Sequence, residues 1–234
     1  MDRSATLIEE THTAILTGRL AMTENVRLLS PLKQLQQLKQ LKQLKPLGET
    51  LLFASNFLRH PNMLGSIIPS SRFLVDQVLA PIDWGRTRVI VEYGPGIGTF
   101  TGEILRRMRS DAQLVVIETN RDFVRFLQRT LPDPRLHVVH DSAAEVQAVL
   151  ERLALPAPRY IISGIPLGSM PDPVRTDIAV KSRAALEPGG AFLVYQFTAR
   201  AFPTLQRTFG EVRRSVERRN FPPAQFFLCT TGAA

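Results

Sequence analysis

Acidic residues stand at the ends of three short apolar runs in this chain: Glu92 after VIV, Glu118 after LVVI, and Asp141 after HVVH. The first is followed by Gly94, Gly96 and Gly98 and then by a helical pattern, in the stretch VEYGPGIGTFTGEIL. Glycines permit positive φ angles and let a ligand approach the backbone where a Cβ would block it. A tight strand-to-helix turn with no ligand would use the same residues. A dinucleotide fingerprint requires G-x-G-x-x-G, but Thr99 stands where its third glycine belongs. Pro95 also lacks the N–H that a pyrophosphate cradle would use.

The spacing E-x-G-x-G-x-G resembles motif I of class I S-adenosylmethionine-dependent methyltransferases. That resemblance implies a cofactor with an amino-acid tail and no phosphate, released as S-adenosylhomocysteine. Glu92 would meet the cationic methionine end, and the turn Gly94, Pro95, Gly96, Gly98 and Thr99 would pass beneath the methionine and ribose. Such a cofactor needs a second acid at the next strand end for the two ribose hydroxyls. Glu118 stands there, 26 residues after Glu92, with Thr119 beside it; the alternative is a solvated strand end. Asp141 and Ser142 open a helix after the third strand, where Asp is first of all a cap. In this superfamily the same position accepts the adenine amino group.

The elements that must hold these residues are legible from the apolar pattern. RVIVEY (88–93), QLVVIE (113–118), LHVVH (136–140), RYIIS (159–163) and AFLVYQF (191–197) alternate with helical segments. Near-continuous apolar strands of that kind predict a mostly parallel sheet covered on both faces. EVRRSVERRNFPPAQFFLCTT predicts a closing antiparallel hairpin, with a Pro-Pro break between its strands. The expected fold is therefore α/β: the Rossmann-like class I methyltransferase fold, with a seven-stranded, mostly parallel sheet, a terminal antiparallel hairpin and an N-terminal helical extension. Residues 1–48 would form that extension and 49–234 the catalytic domain. ETLLFASNFLRHP and SSRFLVDQVL read as helices, the latter capped by Ser70 or Ser71.

The fourth strand runs into RYIISGIPLGSMPDP. Methyltransferases acting on planar amines, such as the rRNA adenine dimethyltransferases, carry Asn or Asp at this strand end, then Pro-Pro or Leu-Pro, then an aromatic that stacks on the base. Here Ser163-Gly164-Ile165-Pro166-Leu167 keeps the proline, sets serine for the acid or amide, and sets leucine for the aromatic. A flat nucleobase loses its acceptor and its stacking partner. That disfavours nucleic acid as the partner.

The sequence at this point resembles the bacterial phospholipid N-methyltransferases, which convert phosphatidylethanolamine stepwise to phosphatidylcholine. The resemblance rests on GSIIPSSRFL, EYGPGIGTFT, SGIPLGSMP, VYQFT and NFPPA, and covers roughly residues 50–230. It implies transfer of the sulfonium methyl to a lipid amine that has lost its proton, without a metal. Ser163, the Gly164 carbonyl and Tyr195 are the candidate proton acceptors and catalytic groups, Ser163 also lying at the cofactor. Tyr195 is alternatively a core residue. Ile165, Pro166 and Leu167 would line the acceptor, with Ser70 and Ser71 at the cofactor or acting as caps, and Arg72 on the lipid phosphate. The implied partners are a phospholipid substrate and an anionic membrane surface. The implied place is the cytoplasm, peripheral on the inner face of the cytoplasmic membrane. A nucleic-acid adenine methyltransferase is the alternative reading.

Composition is consistent with this class. The formal charge of +8 calls for an anionic partner. One cysteine excludes an intrachain disulfide framework, and four histidines without ligand spacing disfavour metal chemistry. No apolar run approaches the ~20 residues a membrane span needs. The arginines of RRSVERR form either a solvated face or a headgroup contact. Four of the five lysines fall within SPLKQLQQLKQLKQLKPL (30–47), where leucine returns every third residue. At about 3.6 residues per turn those leucines spiral around the helix instead of forming one stripe. This is either a linker helix or a surface anchor, since lipid is a deformable partner and lysines snorkel. Nothing in the sequence speaks to oligomeric state.

Overall fold

A computed structural model describes residues 71–220 and 222–232. The extension over 1–48, the helix expected in ETLLFASNFLRHP, and Ser70 lie outside the described residues. The chain enters through α1 (Arg72–Leu79), capped by Ser71, whose side chain accepts from the Leu74 N–H. Strand β1 (Val89–Tyr93) follows, then α2 (Thr99–Arg107), β2 (Gln113–Glu118), α3 (Arg121–Thr130) and β3 (Leu136–His140). A single 3₁₀ turn (Ala143–Glu145) leads into α4 (Val146–Arg152), and β4 (Tyr160–Ser163) into a second (Leu167–Ser169). The chain then runs through α5 (Asp172–Ala185), β5 (Ala191–Gln196), α6 (Phe202–Phe209), β6 (Glu211–Glu217) and β7 (Ala224–Thr230).

The seven strands form one sheet in the order β3-β2-β1-β4-β5-β7-β6. The first five strands are mutually parallel, and β7 runs antiparallel to both β5 and β6. The predicted hairpin is present, with its second strand inserted against β5 and its first at the sheet edge. Successive residues of a strand point to opposite faces, and two cores result. Val89, Val91 and Ile161 face a cluster closed by α5 and α6, whereas Ile90, Ile162 and Leu193 face one closed by α1 and α2. Burial on both faces is why the central strands read as continuous apolar runs instead of alternating. Edge strand β6 is mostly exposed and carries Arg213 and Arg214, charges that discourage edge-to-edge pairing.

Strand order reverses direction at β1, which lies between β2 and β4. In doubly wound sheets that switch point opens a crevice beyond the carboxyl ends of the strands. Glu92, Glu118, Ser163 and Tyr195 all lie at or next to those ends. Among the described residues, no helix is long and apolar enough to cross a membrane.

Candidate active site

The glycine turn takes its shape from three left-handed residues: Gly94 at φ +64°, Gly96 at +56° and Gly98 at +84°. Two of them also admit neighbours. A Cβ at Gly94 would come within 2.6 Å of the Ile165 Cγ2, and one at Gly98 within 2.7 Å of the Leu127 Cδ2. The Gly94 N–H donates to the Ile117 carbonyl at 3.0 Å, which stitches the turn to β2. Helix α2 then starts at Thr99 without a side-chain cap, so its first N–H groups suit an anionic ligand group.

Glu92 is buried, and its Oε2 accepts from the Thr101 hydroxyl at 2.7 Å. Burial pushes its carboxyl up to about 8, with the nearby Glu118 adding to the rise and the Thr101 bond opposing it. Glu118 is also buried, and burial raises its carboxyl although backbone N–H groups of Asn120 and Gly96 hold its charged form. The Asn120 N–H lies 2.8 Å from its Oε1. The Gly96 bond couples the motif turn directly to the second acid.

A cleft of about 220 Å³ opens beside Glu118, lined by Gly94, Thr119 and Phe123 on one side, Ser142 and Ala143 on another, and Ile165, Pro166 and Met170 across from them. Ile178 of α5 also lines it. Phe123, Met170 and Ile178 were not evident from sequence, because they come from helix faces and a loop with no motif of their own. Asp141 does not line this cleft: one oxygen accepts from the Ser142 N–H at 2.9 Å and the other lies 3.4 Å from Arg152. The cap is Ser142, whose Oγ accepts from the Ala144 N–H at 3.2 Å, and what it opens is the 3₁₀ turn before α4.

The acceptor strand requires two corrections. Counting back from Pro166, the acid or amide of the planar-amine enzymes corresponds to Gly164, not to Ser163. Ser163 is fully buried, and β4 alternation puts it on the Ile161 face, opposite Tyr195. Its Oγ has no hydrogen-bond partner among the described residues. Leu167 is likewise fully buried in the core on the α5 and α6 side, so it packs the fold instead of facing an acceptor. Gly164 and Tyr195, in contrast, are brought together. A Cβ at Gly164 would meet the Tyr195 hydroxyl and come within 2.7 Å of its Cζ. The Tyr195 ring stacks on Phe100 of α2, with centroids 4.5 Å apart and planes 18° from parallel. Gln196 holds the loop beyond: its Oε1 accepts from the Gly168 N–H at 3.1 Å and its Nε2 donates to the Ile165 carbonyl at 3.0 Å.

Ser71 and Arg72 lie elsewhere on the rim. The Ser71 N–H donates to the Asn220 side chain at 2.9 Å, and Asn220 in turn donates to the Pro222 carbonyl at 2.8 Å. Arg72 lines a separate groove between α1 and α2, with Thr99, Asp76 and Arg107. Among the described residues no cluster of three or more His, Cys, Asp or Glu is arranged to hold a metal.

The sheet order, the glycine turn and the two strand-end carboxylates define a class I S-adenosylmethionine-dependent methyltransferase. A phosphate-free, cationic cofactor suits them: the raised carboxyls of Glu92 and Glu118 have no cationic partner among the described residues, and side chains in the turn would fill the cradle. The chain belongs to the ribosomal RNA adenine dimethylase family, whose model matches residues 51–167. It is 30% identical over 186 residues, 76% of this chain and 94% of the relative, to an ornithine lipid N-methyltransferase of Singulisphaera acidiphila. Over a shorter stretch of 72 residues, 31% of this chain and 26% of the relative, it is 36% identical to the ribosomal RNA small subunit methyltransferase A of Laribacter hongkongensis. Its fold is similar to that of the N-methyltransferase NodS from Bradyrhizobium japonicum, solved with S-adenosylhomocysteine. The TM-score is 0.53 and the identity 14%, with 68% of this chain and 88% of the other covered.

Proposed function

We propose that this methyltransferase acts on the amine of a membrane lipid, phosphatidylethanolamine and its methylated derivatives or an ornithine lipid, and not on a nucleobase. The observation that carries this reading is the acceptor strand. Glycine replaces the acid or amide at position 164, and the residue at the aromatic position, Leu167, is buried in the core. The lipid-methylating relative, matched over 94% of its own length, supports the same class of acceptor.

When bound, S-adenosylmethionine supplies an electrophilic sulfonium methyl. The residues of this chain do the rest. The capless start of α2 at Thr99 would receive the carboxylate of the methionine end, and the buried Glu92, which keeps its proton at neutral pH in the free chain, would release it to face the cationic amine. Glu118 takes the ribose hydroxyls, and the apolar walls at Ile165, Pro166 and Met170 exclude water from the adenosine. Ser142 contributes a polar edge to that pocket, and Asp141 holds the loop through Arg152.

An alkylammonium must lose its proton to solvent water before its lone pair can attack the methyl as the methyl–sulfur bond breaks. Tyr195 and the Gly164 carbonyl are the groups that hold the amine and take up its hydrogen bond, and the partly exposed Tyr195 ring, backed by the buried Phe100, favours the increasingly methylated cation. Arg72, in the groove between α1 and α2 outside the cleft, meets an anionic part of the headgroup from the rim. Residues 1–48 act as a basic, leucine-rich surface anchor, and the protein works at the cytoplasmic face of the membrane.

Mass spectrometry of lipids from cells producing the protein tests this. Aminolipids should gain single-methyl increments that vanish with Gly164→Asn. An unchanged lipid profile, with new dimethyladenosine in ribosomal RNA, would instead favour the nucleic-acid reading.

A further inference from the structure

The carboxyl-end rim beside Tyr195 carries a second feature. Helix α1 spans the sheet from end to end: Ser71 bonds Asn220 beyond the last residue of β6, while Asp83 and Pro81 bond the hydroxyl of Tyr160, the first residue of β4. The start of α1 and the β6–β7 turn therefore meet on the same rim as the candidate site. Trp84 lies at the opposite end. Phe73 is exposed at this rim, at 38%. The Arg219 guanidinium lies over its ring at 4.2 Å and the Arg72 guanidinium at 5.8 Å. Arg218 is exposed beside them. The carboxylate of the turn, Glu217, is buried and paired with Arg219 at 3.0 Å. Asp76 of α1 is engaged by Arg107.

We infer that the start of α1 and the β6–β7 turn form a docking face for an anionic lipid surface, with Phe73 entering the apolar layer and Arg72, Arg218 and Arg219 meeting phosphates. The inference rests on the lipid-acceptor reading, since it explains how the acceptor site is turned toward a bilayer. The three arginines face two carboxylates, Glu217 paired with Arg219 and Asp76 engaged by Arg107, so the face keeps a net positive charge that gives the complementarity. An aromatic ring flanked by guanidinium groups has the amphipathic character of an interfacial residue, whose apolar body is buried while the charged heads reach phosphate. Arg219 covers a face of Phe73, which leaves that face closed to a stacked nucleobase.

The test uses the full chain with vesicles of phosphatidylcholine, with and without phosphatidylglycerol, carrying brominated acyl chains. The Phe73→Trp variant should show bromine quenching well above that of the wild type, whose one tryptophan faces away, and only with the anionic vesicles. The Arg218→Gln, Arg219→Gln pair should weaken vesicle binding by roughly tenfold or more. Equal quenching in Phe73→Trp and wild type, while both sediment with vesicles, overturns the docking face. So does an emission change caused by ribosomal RNA and not by anionic vesicles. The acceptor reading fails separately, if no methyl reaches short-chain phosphatidylethanolamine or ornithine lipid in solution while the quenching is intact.

Discussion

The hydroxyl of Tyr195 stands in the space that a side chain at position 164 would occupy, with its Cζ only 2.7 Å from where the Gly164 Cβ would be. Position 164 offers no side chain of its own, and the neighbouring strand β5 brings a phenol into that space. Under the proposed function this gives the acceptor a hydroxyl without the flat amide that suits an adenine.

Removing that hydroxyl isolates its role. Tyr195→Phe should lower the transfer rate by roughly 10²-fold while calorimetry finds the cofactor affinity unchanged. Gly164→Ala should lose activity more completely and destabilise the fold by about 1–3 kcal/mol through overpacking. Ser163→Ala should do neither, because the Ser163 hydroxyl lies on the other face without a partner among the described residues. A rate for Ser163→Ala as low as that of Tyr195→Phe would reverse the assignment.

Glu92 makes stability depend on pH. Its folded-state value of about 8 lies above the ordinary 4.5, so the folded chain keeps a proton that the unfolded chain has released. The stabilisation this gives is complete below about pH 4.5 and is lost as pH rises through 8. Thermal melts of Glu92→Gln should match the wild type near the lower value and exceed it above the higher one, by an order of a few kcal/mol. A cationic cofactor favours the charged carboxylate, so its binding to the wild type should release a proton near neutral pH. Calorimetry in buffers of different ionisation enthalpy reads that release directly, and Glu92→Gln should abolish it.

Gln196 is a positioning residue whose two bonds fix the Ile165–Gly168 loop. Gln196→Leu leaves the Gly168 N–H without its partner in the interior, a loss of about 1–3 kcal/mol. Since Ile165 and Pro166 wall the cleft, cofactor affinity should fall by roughly tenfold. A variant that melts lower but binds the cofactor normally would confine Gln196 to stability.

Much of this was legible in the sequence, for a physical reason. The five parallel strands are buried on both faces, so their apolar runs are continuous, and the glycine turn needs φ values that announce themselves in residue type. Glu118 was found because the chemistry of the motif turn required a second acid. What escaped was decided by tertiary packing. Ser163 and Gly164 are adjacent in sequence, and only the pleat and the Tyr195 ring distinguish which one lies beside the phenol. Thr101 and Gln196 form their bonds across the fold. Asn220 joins NFPPA to PSSR through Ser71, a contact between two motifs that the sequence shows 149 residues apart.

The leucine and lysine segment lies outside the described residues, and its role as an anchor has its own test. Replacing Lys33, Lys39, Lys42 and Lys45 by glutamine in the full chain should weaken sedimentation with anionic vesicles by well over tenfold, at about 1 kcal/mol per basic residue. Cofactor affinity should not change. Equal sedimentation would make the segment a linker.

The central claim, a lipid amine as the methyl acceptor, is tested most directly by supplying the purified chain with labelled S-adenosylmethionine, vesicles containing phosphatidylethanolamine or ornithine lipid, and ribosomal RNA in the same reaction. Label extracted with the lipid, and lost in Tyr195→Phe, is the predicted result. Label in the RNA with none in either lipid would contradict it.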